Sequence, residues 1–249
     1  MATMLLNVAA YHFAEVHDAD ALAERLRAAA EAGDVRGTIL VAPEGVNLFL
    51  AGNEAVVESV LDVLRNDARF AALEVKRSWS RMQPFGRLKV KRKPEIITFR
   101  RDGTAPLDAR APAVDPPTLA RWIEQGHDDA GRRLVLLDTR NREEFEYGTF
   151  HGAITLPIDN FTDLPAALEP HREELADATV VSFCTGGIRC EKAALWLQAD
   201  GMPNVLQLDG GILGYFEKVG GFGYDGRCFV FDGRVALDPQ LQPIVDDIA

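Results

Sequence analysis

An α/β chain of two domains is what the sequence predicts: an α+β module followed by a domain built on a parallel sheet. Three observations carry that expectation. The first hundred residues alternate short strand-like and helix-like runs in the order β-α-β-β-α-β; a proline-rich stretch from Pro106 to Pro117 interrupts the pattern; beyond it the strands become continuous apolar runs. At 249 residues and 47% hydrophobic content the chain can fill two cores.

In the first part, Leu5 to Tyr11 is a short apolar run fit for a strand, and Asp18 or Asp20 then caps a helix with Leu22, Leu26 and Ala29 at helical spacing, ending near Gly33. Gly37 to Ala42 and Val46 to Ala51 are strand-like runs joined by Pro43-Glu44-Gly45, a hairpin signal. Asn53 caps a second helix with Val56, Val57, Val60, Leu61 and Leu64 on one face, and Leu73 to Ser78 supplies a further strand. That order is the ferredoxin-like (acylphosphatase-like) split βαβ arrangement. Residues 1–105 are assigned to it, 106–117 to a linker, 118–222 to the parallel-sheet domain and 223–249 to a C-terminal tail without clear periodicity. Within 118–222, Leu134 to Asp138 and Thr179 to Phe183 are strands buried on both faces, Glu191 to Asp200 is a helix, and Val205 to Leu208 is a strand closed by Asp209-Gly210-Gly211.

Composition excludes several classes. No apolar run approaches the roughly 20 residues of a membrane span, and Met1 to Ala10 lacks the basic-then-apolar pattern of a signal peptide, so a cytoplasmic protein with no membrane partner is expected. Three cysteines, an odd number, argue against a disulfide framework, and the absence of any C-x2-C pair argues against structural zinc. The histidines His12, His17, His127, His151 and His171 show no metal-site spacing, and no Gly-x-Gly-x-x-Gly marks a nucleotide cofactor, so the cofactor is unknown and no metal is predicted.

The chemistry concentrates at Cys184-Thr185-Gly186-Gly187-Ile188-Arg189-Cys190. A cysteine directly after a buried strand and before a helix faces the unpaired N–H groups of the first turn and the positive end of the helix dipole, and both favour thiolate. Gly186 and Gly187 let the backbone curl with positive φ so that successive amides face the sulfur, and Arg189 adds a permanent charge. Converging main-chain dipoles are thus expected to hold Cys184 ionised at the mouth of the second domain. Cys190 either resolves an oxidised Cys184 by disulfide formation or is a small residue packed under the loop. A tyrosine-phosphatase reading fails on spacing, since the Arg that chemistry needs six positions after the cysteine is here Cys190, with Arg189 one short.

Leu136-Leu137-Asp138-Thr139-Arg140, then Glu143-Glu144-Phe145-Glu146-Tyr147-Gly148 with His151-Gly152-Ala153-Ile154 and Pro157, followed by the cysteine loop, resembles the rhodanese homology domain over about residues 115 to 222. That resemblance implies a rhodanese-like α/β fold and a cysteine that carries sulfane sulfur as a persulfide. Thr149 departs from it, standing where rhodaneses commonly have the His of a Gly-His pair, which makes a simple thiosulfate enzyme a poorer fit. Adding Ala42-Pro43-Glu44-Gly45-Val46-Asn47, Asp209-Gly210-Gly211-Ile212 and Phe229-Val230-Phe231-Asp232, the chain resembles the TrhO family, the oxygen-dependent tRNA uridine hydroxylases. Many members carry a cysteine-rich C-terminal extension; this sequence, ending at Ala249, reads as a short form. The resemblance implies hydroxylation of the wobble uridine to 5-hydroxyuridine, molecular oxygen as co-substrate, the tRNA anticodon loop as partner and Cys184 as the essential group. A sulfurtransferase passing persulfide sulfur from a donor to a thiol acceptor is the alternative, and a non-catalytic rhodanese-like interaction module is a third.

Charge supports an RNA partner locally. The formal net charge is −11, yet Lys76 to Arg101 holds ten basic residues against the single acid Glu95, an excess of +9 that leaves the rest at −20. Arg87-Leu88-Lys89-Val90-Lys91 alternates like a strand with its cations on one face, and Trp79 and Phe85 lie near in sequence for base stacking. Arg87, Lys89, Lys91, Arg92 and Lys93 are the candidate tRNA-binding residues, against the plainer role of a lysine-rich strand edge kept soluble.

Overall fold

The computed structural model describes residues 4–245. Two compact units divide the chain. The first is the chain up to Thr98 with Phe231–Val235 and the segment from Gln242; the second is Phe99–Val230 with Ala236–Leu241.

The first unit runs β1 (Leu5–Phe13), α1 (Ala19–Glu31), β2 (Arg36–Ala42), β3 (Gly45–Gly52), α2 (Glu54–Arg65), β4 (Val75–Ser80) and β5 (Leu88–Arg92). Its sheet order is β4-β1-β3-β2-β5. β1 lies antiparallel between β3 and β4, β2 and β3 form the hairpin, and β5 joins the far edge parallel to β2. This is the split βαβ arrangement with one strand added. Alternate strand residues Leu6, Val8, Ile39, Val41, Leu48 and Leu50 pack on Leu22, Leu26, Val57, Val60, Leu61 and Leu64 of the two helices, each fully buried side chain contributing about 1.5–3 kcal/mol. Asn53 caps α2 by accepting the Ala55 N–H at 3.0 Å. Asp18 stands at the α1 N-cap position but makes no capping bond, because its carboxylate is taken by the Arg69 guanidinium instead.

The second unit contains β6 (Ala113–Val114), α3 (Pro116–Gln125), β7 (Leu134–Asp138), α4 (Arg142–Phe145), β8 (Gly148–Phe150), β9 (Ile154–Thr155), α5 (Leu164–Leu168), α6 (Arg172–Leu175), β10 (Thr179–Phe183), α7 (Ile188–Ala199), β11 (Val205–Leu208), α8 (Gly211–Val219), β12 (Tyr224–Gly226), β13 (Cys228–Phe229) and β14 (Ala236–Leu237). Five parallel strands in the order β6-β11-β10-β7-β9 form its main sheet. The central strand β10 is buried at every position, as a parallel strand covered on both faces must be.

Two segments differ from their sequence assignment. The end of the predicted linker belongs to the second unit: Ala113 and Val114 pair with Gln207 and Leu208, and Asp115 caps α3 through the Thr118 N–H at 3.1 Å with Pro116 in its first turn. The division falls earlier, between Thr98 and Phe99, where Phe99 stacks on Phe161 at 4.4 Å. The predicted tail is also folded. β12 pairs with β8, β13 pairs with β14, and Tyr224 meets Phe150 edge-on at 5.1 Å within the apolar core of the second unit. Strands of two or three residues are too short to show a period in sequence.

Candidate active site

Cys184 follows β10 directly, and α7 begins four residues later with Gly187 at its N-cap. Of the two loop glycines only Gly187 has positive φ, at 101°, and its N–H donates to the Cys184 sulfur at 3.2 Å. Gly186 has no atom within 4 Å of where a Cβ would stand. The sulfur lies inside the loop rather than at its mouth, since Cys184 is 0% exposed. Its surroundings are nonetheless polar. Burial alone pushes the thiol up, but the Cys190 thiol, the Arg189 charge and the Arg189 and Cys190 N–H groups outweigh it and bring Cys184 down to about 5. The balance of these influences favours the thiolate form of Cys184. Cys190 moves the other way: burial and the neighbouring Cys184 sulfur push it well above the usual thiol range, against the Thr139 and Ser182 hydroxyls. The two sulfurs are thus pushed in opposite directions, Cys184 towards the thiolate and Cys190 towards the thiol.

The loop is tied from both sides. Glu144 on α4 is completely buried, and its carboxylate takes Arg189 Nη1 at 2.5 Å and Nη2 at 2.6 Å, the Thr185 hydroxyl at 3.2 Å and the Asn141 N–H at 3.0 Å. Burial raises the Glu144 carboxyl, and the Arg189 guanidinium more than reverses this, holding it below its usual range. From the other side, the first turn of α8 donates Ile212 N–H to the Cys184 carbonyl at 2.9 Å and Leu213 N–H to that of Thr185 at 3.0 Å. Asp209-Gly210-Gly211-Ile212 thus serves to dock a helix start on the loop. Nearby, buried Asp138 accepts from Arg140 Nε at 2.9 Å and Nη2 at 2.7 Å, and the Thr149 hydroxyl donates to the same carboxylate at 2.8 Å. Thr149 so fills a structural place. Cys228 is buried, and burial pushes its thiol up to about 12, so it stays protonated.

Comparison with known proteins places this geometry in a family. Residues 5–96 match the family described as UPF0176 acylphosphatase like domain, and residues 116–218 match the Rhodanese-like domain. The protein named tRNA uridine(34) hydroxylase from Xanthomonas euvesicatoria pv. vesicatoria is 65% identical over 243 residues, covering 98% of each chain. The protein of that name from Xylella fastidiosa is 60% identical over 98% of this chain and 95% of its own. This chain belongs to the tRNA uridine(34) hydroxylase family.

Two sequence features of this tRNA uridine(34) hydroxylase family member are resolved by the first unit. Glu44 and Asn47 have structural duties: Glu44 Oε1 accepts the Ile96 N–H at 2.8 Å and Asn47 Nδ2 donates to the Ile96 carbonyl at 3.1 Å, clasping both backbone polar groups of one residue. Gly45, with φ +143°, leaves room for His12, whose carbonyl oxygen would stand 2.1 Å from an added Cβ. The basic stretch, continuous in sequence, is divided in space, because β4 and β5 are opposite edges of the sheet. Trp79 pairs in register with core-facing Leu6 on the β4 side and so lies apart from Lys89 and Lys91 on β5. Arg77 is engaged by Glu58 at 2.9 Å and Arg92 by Asp20 at 2.9 Å. Arg87, Lys89, Lys91 and Lys93 are exposed and have no ion pair among the described residues. Among those residues no three His, Cys, Asp or Glu side chains are grouped to hold a metal, and no helix is long and apolar enough to cross a membrane.

Proposed function

We propose that this chain hydroxylates uridine 34 of tRNA, with Cys184 as the reacting group. The observation that carries the proposal is the 65% identity, over 98% of both chains, to a protein named tRNA uridine(34) hydroxylase. The loop supplies the chemistry. A thiolate held at neutral pH by Arg189, Cys190 and loop amides is a nucleophile at its own site, and the same donors stabilise the terminal charge of a persulfide. The Cys184 sulfur is itself buried, and a second sulfur carried on it would extend the reactive atom by one S–S bond. Replacing the C5 hydrogen of uracil by hydroxyl requires an oxidant, and the resemblance names molecular oxygen. The anticodon loop presents uridine 34 unpaired, and Arg87, Lys89, Lys91 and Lys93 offer it an exposed cationic edge, with Arg92 contributing once released from Asp20.

The test compares tRNA nucleosides, by mass spectrometry, from a deletion strain complemented with the natural chain or with Cys184→Ala. The proposal expects 5-hydroxyuridine-derived nucleosides to be restored by the first and not by the second. Restoration by Cys184→Ala removes Cys184 from the chemistry. Loss of 2-thiouridine-type sulfur instead supports the sulfurtransferase alternative, which the rhodanese-like match keeps in view.

A further inference from the structure

One part of the helix-free face of the first unit's sheet carries an unassigned cleft. Along β2 and β5 the strand alternation turns Ile39, Val41 and Val90 into the core, and leaves the register partners Thr38 and Lys89 on the other face. Beside them runs the turn from Met82 to Arg87, held by several hydrogen bonds. Gln83 Nε2 donates to the Ala51 carbonyl at 3.1 Å while its Oε1 accepts the Phe85 N–H at 3.3 Å, and Gly37 N–H donates to the Arg87 carbonyl at 3.2 Å. Between turn and strands lies a cleft of about 370 Å³ lined by Thr38, Phe85, Gly86, Arg87 and Lys89, a size within the range of small-ligand clefts.

The lining combines one aromatic ring, one hydroxyl with no side-chain hydrogen bond among the described residues, and two exposed cations without an acidic partner there. An aromatic face accepts any base that is free to leave its stack, and uncompensated cations accept the phosphate that follows it. A duplex keeps its bases inside and offers only phosphates. We propose that this cleft is a subsite for one unpaired RNA nucleotide, its base against Phe85 and its phosphate on Arg87 and Lys89. The proposal rests on the tRNA reading above and adds to it that the first unit grips a splayed nucleotide rather than a helical stem.

The experiment uses the full chain and two probes, a labelled short oligouridylate and a blunt RNA duplex of the same nucleotide count. Phe85→Ala is expected to weaken oligouridylate binding by about tenfold while leaving the duplex unaffected. Phe85→Trp is expected to keep the affinity and to show fluorescence quenching, beyond that of the natural chain, when the oligouridylate saturates. Lys89→Gln is expected to reduce the slope of log affinity against log salt by about 0.7, one phosphate contact on a single strand. Equal oligouridylate affinity for Phe85→Ala and the natural chain, unquenched Phe85→Trp at saturation, or no binding of the probe at all, overturns the subsite. The outcome is separable from the reaction itself: the subsite fails with hydroxylation intact if Phe85→Ala binds and turns over normally, and the hydroxylase reading fails by the Cys184→Ala nucleosides whatever Phe85 does.

Discussion

Gly211 lies directly against Cys184: a Cβ added to Gly211 would stand 2.5 Å from the Cys184 carbonyl oxygen and 2.6 Å from the Gly187 nitrogen, the amide that donates to the sulfur. Gly211 also has φ +62°, where any side chain is strained. Gly211→Ala is therefore expected to displace the loop and abolish hydroxylation, with a stability loss of more than about 1 kcal/mol. Gly186→Ala is the control, since nothing lies within 4 Å of its Cβ position. Denaturant unfolding and tRNA nucleoside analysis of the two variants check the contrast, and equal behaviour would show that loop packing does not matter.

Glu144 holds Arg189 in a pair whose side chains are 0% and 7% exposed. Removing one member leaves the other charge buried, so Glu144→Gln is expected to lose about 3–5 kcal/mol in chemical denaturation. The sign with pH follows from the lowered Glu144 carboxyl. Its contribution is complete above the unfolded carboxylate value and is lost as pH falls through the folded one. Acid unfolding of Glu144→Gln should accordingly depend less on pH than that of the natural chain over the same range.

These residues also show what a sequence exposes. The split βαβ unit is legible because β1, β2 and β3 are apolar runs of seven to nine residues and Asn53 marks the start of α2. The cysteine loop is legible because a buried strand, two glycines and a helix adjoin in sequence. The pairing of Glu144 is not, since Arg189 lies 45 residues away and the capping-box spacing from Asn141 to Glu144 marks only a helix start. The same holds for the Glu44 and Asn47 clasp on Ile96, 52 and 49 residues distant. The basic stretch misleads in the opposite sense: Lys76 and Lys89 are close in the chain, yet strand order sends them to opposite edges.

Neutralising Lys89, Lys91 and Lys93 together to Gln is expected to weaken tRNA binding most at low salt, and to reduce the slope of log affinity against log salt by about 2 if each meets one phosphate of an unpaired strand. Fluorescence anisotropy across a salt series measures it. An unchanged slope would leave these lysines as a solvated strand edge.

Cys190 is the neighbour that does most to lower Cys184. The neighbouring Cys190 thiol is the largest of the influences that lower Cys184, ahead of the Arg189 charge, while burial opposes them all. The far-ultraviolet absorbance of the natural chain should then show a thiolate that disappears as pH falls through about 5, a step missing in Cys184→Ala. Cys190→Ala deletes the donor and leaves burial unopposed by it, so the midpoint moves to higher pH; Cys190→Ser keeps an O–H in the same place and returns it towards the natural value. Hydroxylation should follow the thiolate, with Cys190→Ala losing activity first on the acid side and recovering as pH rises. A midpoint indifferent to Cys190→Ala would assign the ionisation to Arg189 and the loop amides alone, and activity lost equally at every pH would mean that the Cys190 sulfur itself takes part in the reaction.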